Sequence, residues 1–171
     1  MTESAMSGIE ARVAALVRGR RAAVVGVGNR LRGDDAAGSV VAERLRGRVA
    51  APVFDAETVP ENYLGSLLSE SCAVVIFVDA ADHGGAPGEC CLAPAAELAE
   101  RAGSTHSMSL VLLSRALAAH GVECWLAGIQ PGRAELGAEL SPAAAAGVRA
   151  LEDALAAALG AAGAAAEALR A

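Results

Sequence analysis

Short apolar runs alternate with segments of helical spacing along most of this chain, and that alternation restricts the folds open to it. Runs typical of β-strands lie at 22–27, 53–55, 73–78, 89–92 and 122–129. Helical spacing of apolar residues covers 9–17, 37–45, 60–68 and 110–117, and Ser141-Pro142 predicts the start of a last helix. The order β-α-β-α-β-β-α-β-α, after one leading helix, predicts an α/β fold, a three-layer α/β/α sandwich around a mostly parallel sheet.

The length of the chain fits one domain. With 171 residues, of which 54% are hydrophobic, it can bury a sizeable core but is too short for two ordinary domains. We expect residues 1–171 to form a single domain, with 1–20 as an N-terminal extension, 22–160 as the core and 161–171 as a low-complexity, alanine-rich tail.

Composition excludes several classes of function. A net charge of −6 and 2% aromatic residues disfavour a nucleic-acid partner, which needs a basic surface and stacking rings. The chain has no lysine, which rules out lysine-nucleophile chemistry. No apolar run approaches the roughly twenty residues that span a bilayer, and Glu3 and Glu10 stand where a signal peptide would be basic and then apolar. We therefore expect no membrane insertion and a cytoplasmic location.

The cysteines give no sign of a metal knuckle or a disulfide framework. Cys72, Cys90, Cys91 and Cys124 lack C-x-x-C spacing and lie in or beside apolar strands, so we expect small buried side chains. Cys90 and Cys91 should point to opposite faces of one strand, which disfavours a bridge between them.

The turn after the first strand carries two adjacent acids, Asp34 and Asp35. Its glycines suggest a dinucleotide turn, but Leu31 stands where the third small residue is needed. A phosphate-binding P-loop is excluded because no Gly-Lys-Ser/Thr follows. Ligands of an open parallel sheet bind beyond the carboxyl ends of its strands, so acids delivered there are candidates for binding or catalysis.

A second acid and one histidine complete a candidate metal site. Asp79 ends the third strand, and the first and third strands of a doubly wound sheet are commonly neighbours, so Asp35 and Asp79 should face one crevice. His106 lies at a loop-to-helix start, from which an imidazole can reach the sheet edge. Two carboxylates and one imidazole form an open site for a borderline divalent metal.

An ordered set of motifs resembles the hydrogenase maturation endopeptidases from about residue 22 to about residue 155. No single piece is specific, but the set is: Gly26-Val27-Gly28-Asn29 with Gly33-Asp34-Asp35, Pro60-Glu61-Asn62, Val78-Asp79-Ala80 with Pro87-Gly88-Glu89, Thr105-His106 with Ser109-Leu110, and Gly128-Ile129-Gln130-Pro131 with Leu140-Ser141-Pro142. The second and last groups look most like the branch that serves formate-hydrogenlyase-type hydrogenases. The resemblance also implies a twisted five-stranded sheet between helices.

The resemblance implies an endopeptidase that removes the C-terminal extension of a NiFe hydrogenase large-subunit precursor after nickel insertion. The family's catalytic and metal ligands carry over to Asp35, Asp79 and His106, which would recognise nickel held by the precursor's cysteines. The precursor is then the partner and nickel is part of the substrate. No tightly bound cofactor is expected, and other divalent metals can occupy the site. Metal polarisation of the scissile carbonyl and activation of water by a carboxylate base are both open.

Residues around these ligands are assigned supporting roles. Asp55 matches a family acid near the cleft that helps select the cleavage point, with a turn-capping role as the alternative. Asn29 is the other candidate substrate-binding residue and should also hold its turn through local hydrogen bonds. Asp34 is expected to cap the following helix. Ala36 replaces the family's usual glycine, which costs little if the residue only starts that helix.

Two other classes of function use the same ligands. A metal-dependent phosphohydrolase would need phosphate contacts, and only Arg30 and Arg32 flank the site. A non-catalytic nickel-checkpoint or assembly protein on the same fold would keep the ligands without cleaving.

Overall fold

A five-stranded sheet forms the centre of the computed structural model, which describes residues 3–102 and 106–160. The strands are β1 (Ala22–Val27), β2 (Val53–Glu57), β3 (Val74–Ala80), β4 (Cys90–Pro94) and β5 (Glu123–Ile129). Their order across the sheet is β2-β1-β3-β5-β4, with β4 antiparallel to β5 and the other pairs parallel. The predicted mostly parallel sheet is confirmed, as is the pairing of the first and third strands.

Helices cover both faces of this sheet. They are α1 (Glu3–Val17), α2 (Ala37–Leu45), α3 (Leu64–Ser69), α4 (Ala95–Ala102), α5 (Ser107–Ala118) and α6 (Pro142–Leu159), with 3-10 turns at Gly33–Ala36 and Pro60–Tyr63. One buried cluster joins α1, α2 and α6 to one face, and a second joins α3, α4 and α5 to the other. The predicted three-layer α/β/α sandwich is confirmed.

Alternation along the buried strands divides the core between the two faces. Ile76 belongs to the first cluster and Phe77 to the second. Cys90 and Cys91 divide in the same way, and all four cysteines are free thiols, as the sequence predicts. The expected burial holds only for Cys72, because Cys90, Cys91 and Cys124 are partly exposed.

Several element bounds differ from the sequence prediction. The structure places α4 over a segment for which no helix is predicted, because Leu98 is the only large apolar residue among its alanines and charges. It extends β3 to Ala80, so that Asp79 lies inside the strand rather than at its boundary. The leading helix begins at Glu3, before its apolar pattern starts at Ile9. The predicted tail, 161–171, lies outside the described residues.

Helix α2 packs unusually close to the sheet because two glycines lie in the interface. A Cβ at Gly38 would stand 2.0 Å from the carbonyl oxygen of Val78 and 2.2 Å from that of Val27. A Cβ at Gly26 would stand 2.3 Å from the Gly38 carbonyl oxygen. Glycine has only a hydrogen atom where other residues have a Cβ, so α2 can lie directly against β1 and β3.

Asp34 joins two loops at the carboxyl edge of the sheet, which corrects the expectation that it caps a helix. Its buried carboxylate accepts hydrogen bonds from the backbone N–H of Gly132 (2.8 Å), Arg133 (3.0 Å) and Ser141 (2.6 Å), and from Ser141 Oγ (2.9 Å). These donors hold its pKa below the usual range although burial opposes them. The donors lie about a hundred residues away, and no local pattern indicates such a contact.

The first residues of α6 follow the predicted pattern. Ser141 caps the helix, its Oγ accepting from Ala144 N at 3.2 Å, and Pro142 is the first helical residue. Within the part of the chain that the structure describes, no helix is both long and apolar enough to cross a bilayer.

Gly38→Ala should destabilise the protein by about 3 kcal/mol, because the added methyl meets backbone oxygens that cannot move independently. Gly65→Ala is the matched control: Gly65 is an exposed helical glycine with no atom within 4 Å of the place that an added methyl would take, and this variant should be neutral or stabilised by up to about 1 kcal/mol. Urea unfolding monitored by circular dichroism measures both, and equal midpoints would contradict the packing argument.

Asp34→Ala should cost about 3 kcal/mol or more, since it leaves three backbone donors without their acceptor in a buried place. The comparison variant is Asp82→Ala: Asp82 is an exposed acid that accepts from Gln130 Nε2 and Gly84 N, and its loss should cost less than about 1 kcal/mol. Urea unfolding measures both values, and a similar loss in the free energy of unfolding in the two variants would show that the contacts of Asp34 contribute no more to stability than those of an exposed acid.

Candidate functional site

Asp35, Asp79 and His106 converge at the carboxyl edge of the sheet. One ligand atom from each lies within 4.8 Å of the other two. The side chains are 8%, 0% and 6% exposed, so the group lies just below the surface. The structure thus brings together the three residues that the sequence analysis selects.

The turn after β1 holds Asp35 by its backbone. Asn29 N donates to the Asp35 carbonyl oxygen at 3.0 Å, and Asp35 N donates to Arg32 O at 3.1 Å. A Cβ at Gly28, whose φ is +156°, would stand 2.2 Å from the Asp35 carbonyl oxygen, so glycine is required there. Among the described residues, Asp35 Oδ2 has no hydrogen-bond partner although it is buried, which fits an oxygen available to a ligand.

Strand β3 directs Asp79 towards the helical layer that contains α5. Asp79 and Phe77 are two residues apart in the strand and therefore share a face, and Phe77 packs in the cluster with α3, α4 and α5. Burial raises the pKa of Asp79 to about 6, against the opposing effect of His106. The carboxylate is thus held in a place where its negative charge is costly.

His106 immediately precedes α5, and its carbonyl oxygen accepts from Leu110 N at 3.0 Å. Its Nδ1 lies 3.7 Å from Asp79 Oδ1. Asp79 raises the pKa of His106, while burial of the ring opposes that rise. The neighbouring Thr105 of the Thr-His motif lies outside the described residues.

The three groups suit a divalent cation. An ion about 2.1 Å from each of three donors needs them no more than about 4.2 Å apart, which small side-chain rotations can achieve here. Two carboxylate oxygens and one imidazole nitrogen match borderline ions such as zinc or nickel, and three protein ligands leave further positions for another molecule. The fit supports an open metal site rather than a closed structural one.

Asp55 and Asn29 lie outside this group. Asp55, in β2, pairs with Arg30 at 2.7 Å, and Arg30 also pairs with Glu43 at 2.6 Å. Because two carboxylates engage it, this guanidinium is not a free phosphate contact, which weakens the phosphohydrolase hypothesis. Asn29 Oδ1 accepts from Leu31 N at 3.0 Å, as expected for a residue that holds its turn. Substrate binding by Asp55 and Asn29 stays a prediction.

Two details of the acidic turn and its surroundings add to the sequence analysis. Ala36 has φ −77°, so the replacement of the family's glycine causes no backbone strain. Gln130 shapes the loop after β3: its Oε1 accepts from His83 N at 2.9 Å and from Gly85 N at 3.2 Å. Gln130 directly follows β5, and this position is the sequence feature that could have indicated its role in the loop.

Comparisons with known proteins agree with this geometry. A family model described as "HycI: Hydrogenase maturation protease" matches residues 40–159, which include Asp79 and His106. The crystal structure of the maturation protease HycI from Thermococcus kodakarensis is 31% identical, covers 86% of this chain and 98% of its own, and has a TM-score of 0.78. No curated protein sequence matches the chain.

Two Escherichia coli structures show the same relationship. The maturating endopeptidase HybD is 29% identical over 80% of this chain and 91% of its own, with a TM-score of 0.69. The endopeptidase HycI is 25% identical over 83% of this chain and 93% of its own, with a TM-score of 0.71. A family model over most of the chain and solved structures of the same fold lead to one conclusion: the chain belongs to the hydrogenase maturation proteases, a family of endopeptidases.

Proposed function

We propose that this protein cleaves the C-terminal extension from the large-subunit precursor of a NiFe hydrogenase after nickel has been inserted. The observation that carries the proposal is the convergence of Asp35, Asp79 and His106 within 4.8 Å at a shallow, buried position. In this proposal nickel arrives with the precursor and is part of the substrate. The reaction takes place in the cytoplasm, and no tightly bound cofactor is required.

The ligand set explains how a protease could test for nickel. Two carboxylates and one imidazole bind a borderline cation with modest affinity, and other divalent ions can occupy such a site. Affinity and selectivity rise when thiolates of the precursor's cysteines complete the coordination shell. A precursor without nickel offers no ion for the three residues to bind, so its extension is left in place.

Hydrolysis adds water across one peptide bond: the water oxygen bonds to the carbonyl carbon, the C–N bond breaks, and a proton passes to the leaving nitrogen. The site is compatible with two routes to this end. The nickel can polarise the scissile carbonyl, or one of the carboxylates can take the proton from the attacking water. Asp35 and Asp79 are the candidate bases, and Asp55 and Asn29 are assigned to binding the polypeptide near the cleavage point.

Incubation with a candidate precursor tests the proposal. Only the nickel-loaded precursor should lose its C-terminal peptide, and His106→Ala should reduce the cleavage rate at least about a hundredfold because one of three ligands is removed. Mass spectrometry of the large subunit measures the loss of the peptide.

His120→Ala is the matched control for that variant, since His120 follows α5 and lies outside the group of three. It should cleave at the unmutated rate. A cognate precursor that binds but stays intact under every condition would reject catalysis and favour a non-catalytic nickel checkpoint.

Direct titration with nickel ions tests the ligand assignment without the precursor. Unmutated protein should bind one ion weakly, and Asp79→Asn should lower that affinity by at least about tenfold, because loss of even an outer-shell partner has an effect of that size. Asp82→Asn, a change at an exposed acid outside the group, should leave the affinity unchanged. Equal affinities for all three proteins would place nickel elsewhere.

A further inference from the structure

Some of the exposed apolar side chains lie on loops at the edge of the sheet that contains the site. In residues 3–102 and 106–160, the large apolar side chains with high exposure are Leu31 (68%), Val59 (42%), Met108 (71%), Leu112 (57%) and Leu136 (73%). Single exposed apolar residues are ordinary on a protein surface. Exposed apolar residues on neighbouring loops beside a candidate site are less ordinary and are typical of a binding surface.

Leu112 lies in the middle of α5, and the chain topology places the other four. Leu31 follows β1, Val59 follows β2 and Leu136 follows β5, and the carboxyl ends of these parallel strands meet at one edge. Met108 lies in the first turn of α5, two residues after His106. None of these four is at the amino edge of the sheet, where α6 ends beside the starts of β1 and β2.

Leu31 and Leu136 stand on two loops that are fastened to each other. Gly137 N donates to the Leu31 carbonyl oxygen at 2.7 Å, and Gly33 N donates to Ala138 O at 3.0 Å. The carboxylate of Asp34 accepts hydrogen bonds from this second loop, and the N–H of Asp34 also donates to Arg133 O at 2.9 Å. The backbone under both leucines is therefore fixed, yet their side chains are left in solvent rather than folded into the core.

We propose that Leu31 and Leu136 form a docking surface for apolar side chains of the hydrogenase large-subunit precursor. The inference rests on the proposed function and specifies which surface engages that substrate. We call the pair the leucine rim.

The position of the rim identifies its occupant. Asp35 and Leu31 belong to the same turn, and Leu136 lies on the loop bonded to that turn, so a polypeptide whose nickel reaches Asp35 comes close to both leucines. A second copy of this chain seated there would cover the approach to Asp35, Asp79 and His106. The precursor is therefore the partner whose binding the rim can serve without blocking the reaction.

Charged replacements at the rim test the inference. Leu31→Glu and Leu136→Glu should each raise KM for the nickel-loaded precursor, and its Kd, by about tenfold, because a charge replaces an apolar contact at an interface. The value of kcat should stay within about twofold, and the affinity for free nickel ions should not change. Both side chains are exposed, so the free energy of unfolding should also be unchanged.

Ala157→Glu supplies the matched control. It introduces the same charge at an exposed position of α6 near the amino edge, and it should leave KM, Kd and kcat unchanged. An unchanged KM and Kd in the leucine variants would overturn the inference. So would unmutated protein that sediments as a dimer and becomes monomeric in Leu136→Glu, because the rim would then serve self-association.

The experiment separates this inference from the proposed function. If unmutated protein binds the precursor without cleaving it and the leucine variants lose that binding, the docking surface stands and the peptidase proposal fails. If cleavage occurs and the leucine variants perform it with unchanged KM, the peptidase proposal stands and the docking surface fails. If unmutated protein neither binds nor cleaves a cognate precursor, both are rejected.

Discussion

The parallel pairing of β1 with β3 is the constraint on which the site depends. Their register, with Gly26 opposite Val78, brings the turn that carries Asp35 next to the end of the strand that contains Asp79. Close packing of α2 through Gly38 fixes the turn from the other side. The backbone thus holds Asp35 and Asp79 near each other without the help of a ligand or a counter-charge. His106 joins them from the start of α5, in the helical layer.

That geometry has an electrostatic cost. Asp79 lies fully buried within reach of a second acid, and its raised pKa, about 6, expresses how poorly its charge is solvated. His106 lessens the cost without removing it. A bound cation would stabilise both carboxylates at once, and a group of this kind is more typical of a functional site than of a structural one.

The adjacent acids Asp34 and Asp35 show what could be predicted from the sequence and what could not. Strand and helix alternation predicted the three layers and the β1–β3 neighbourhood, because each depends on local pattern and on general rules of parallel sheets. The choice of Asp35, Asp79 and His106 also used their places at the ends of strands and at a helix start, and the family motifs around them. Both acids follow the same strand, yet Asp34 turns inward to the loop before α6, whereas Asp35 faces the site. The partners of Asp34 are distant in sequence, so nothing local separated the two roles. Helix α4 was missed for another reason: it buries mainly alanines, which give no periodic signal.

Asp34 also links the proposed docking surface to the candidate metal ligands. The acid fastens the loop that carries Leu136 to the turn that carries both Leu31 and Asp35, so one buried carboxylate supports the docking surface and the ligand together. A weak three-ligand site cannot hold a precursor alone, and an apolar surface cannot distinguish a precursor with nickel from one without it. In the proposed function, the leucines would supply affinity and the three ligands would supply discrimination, as separate contributions on one rigid support. Under the proposed function, such a division would let the protein bind precursors readily while it reserves cleavage for those that carry the metal.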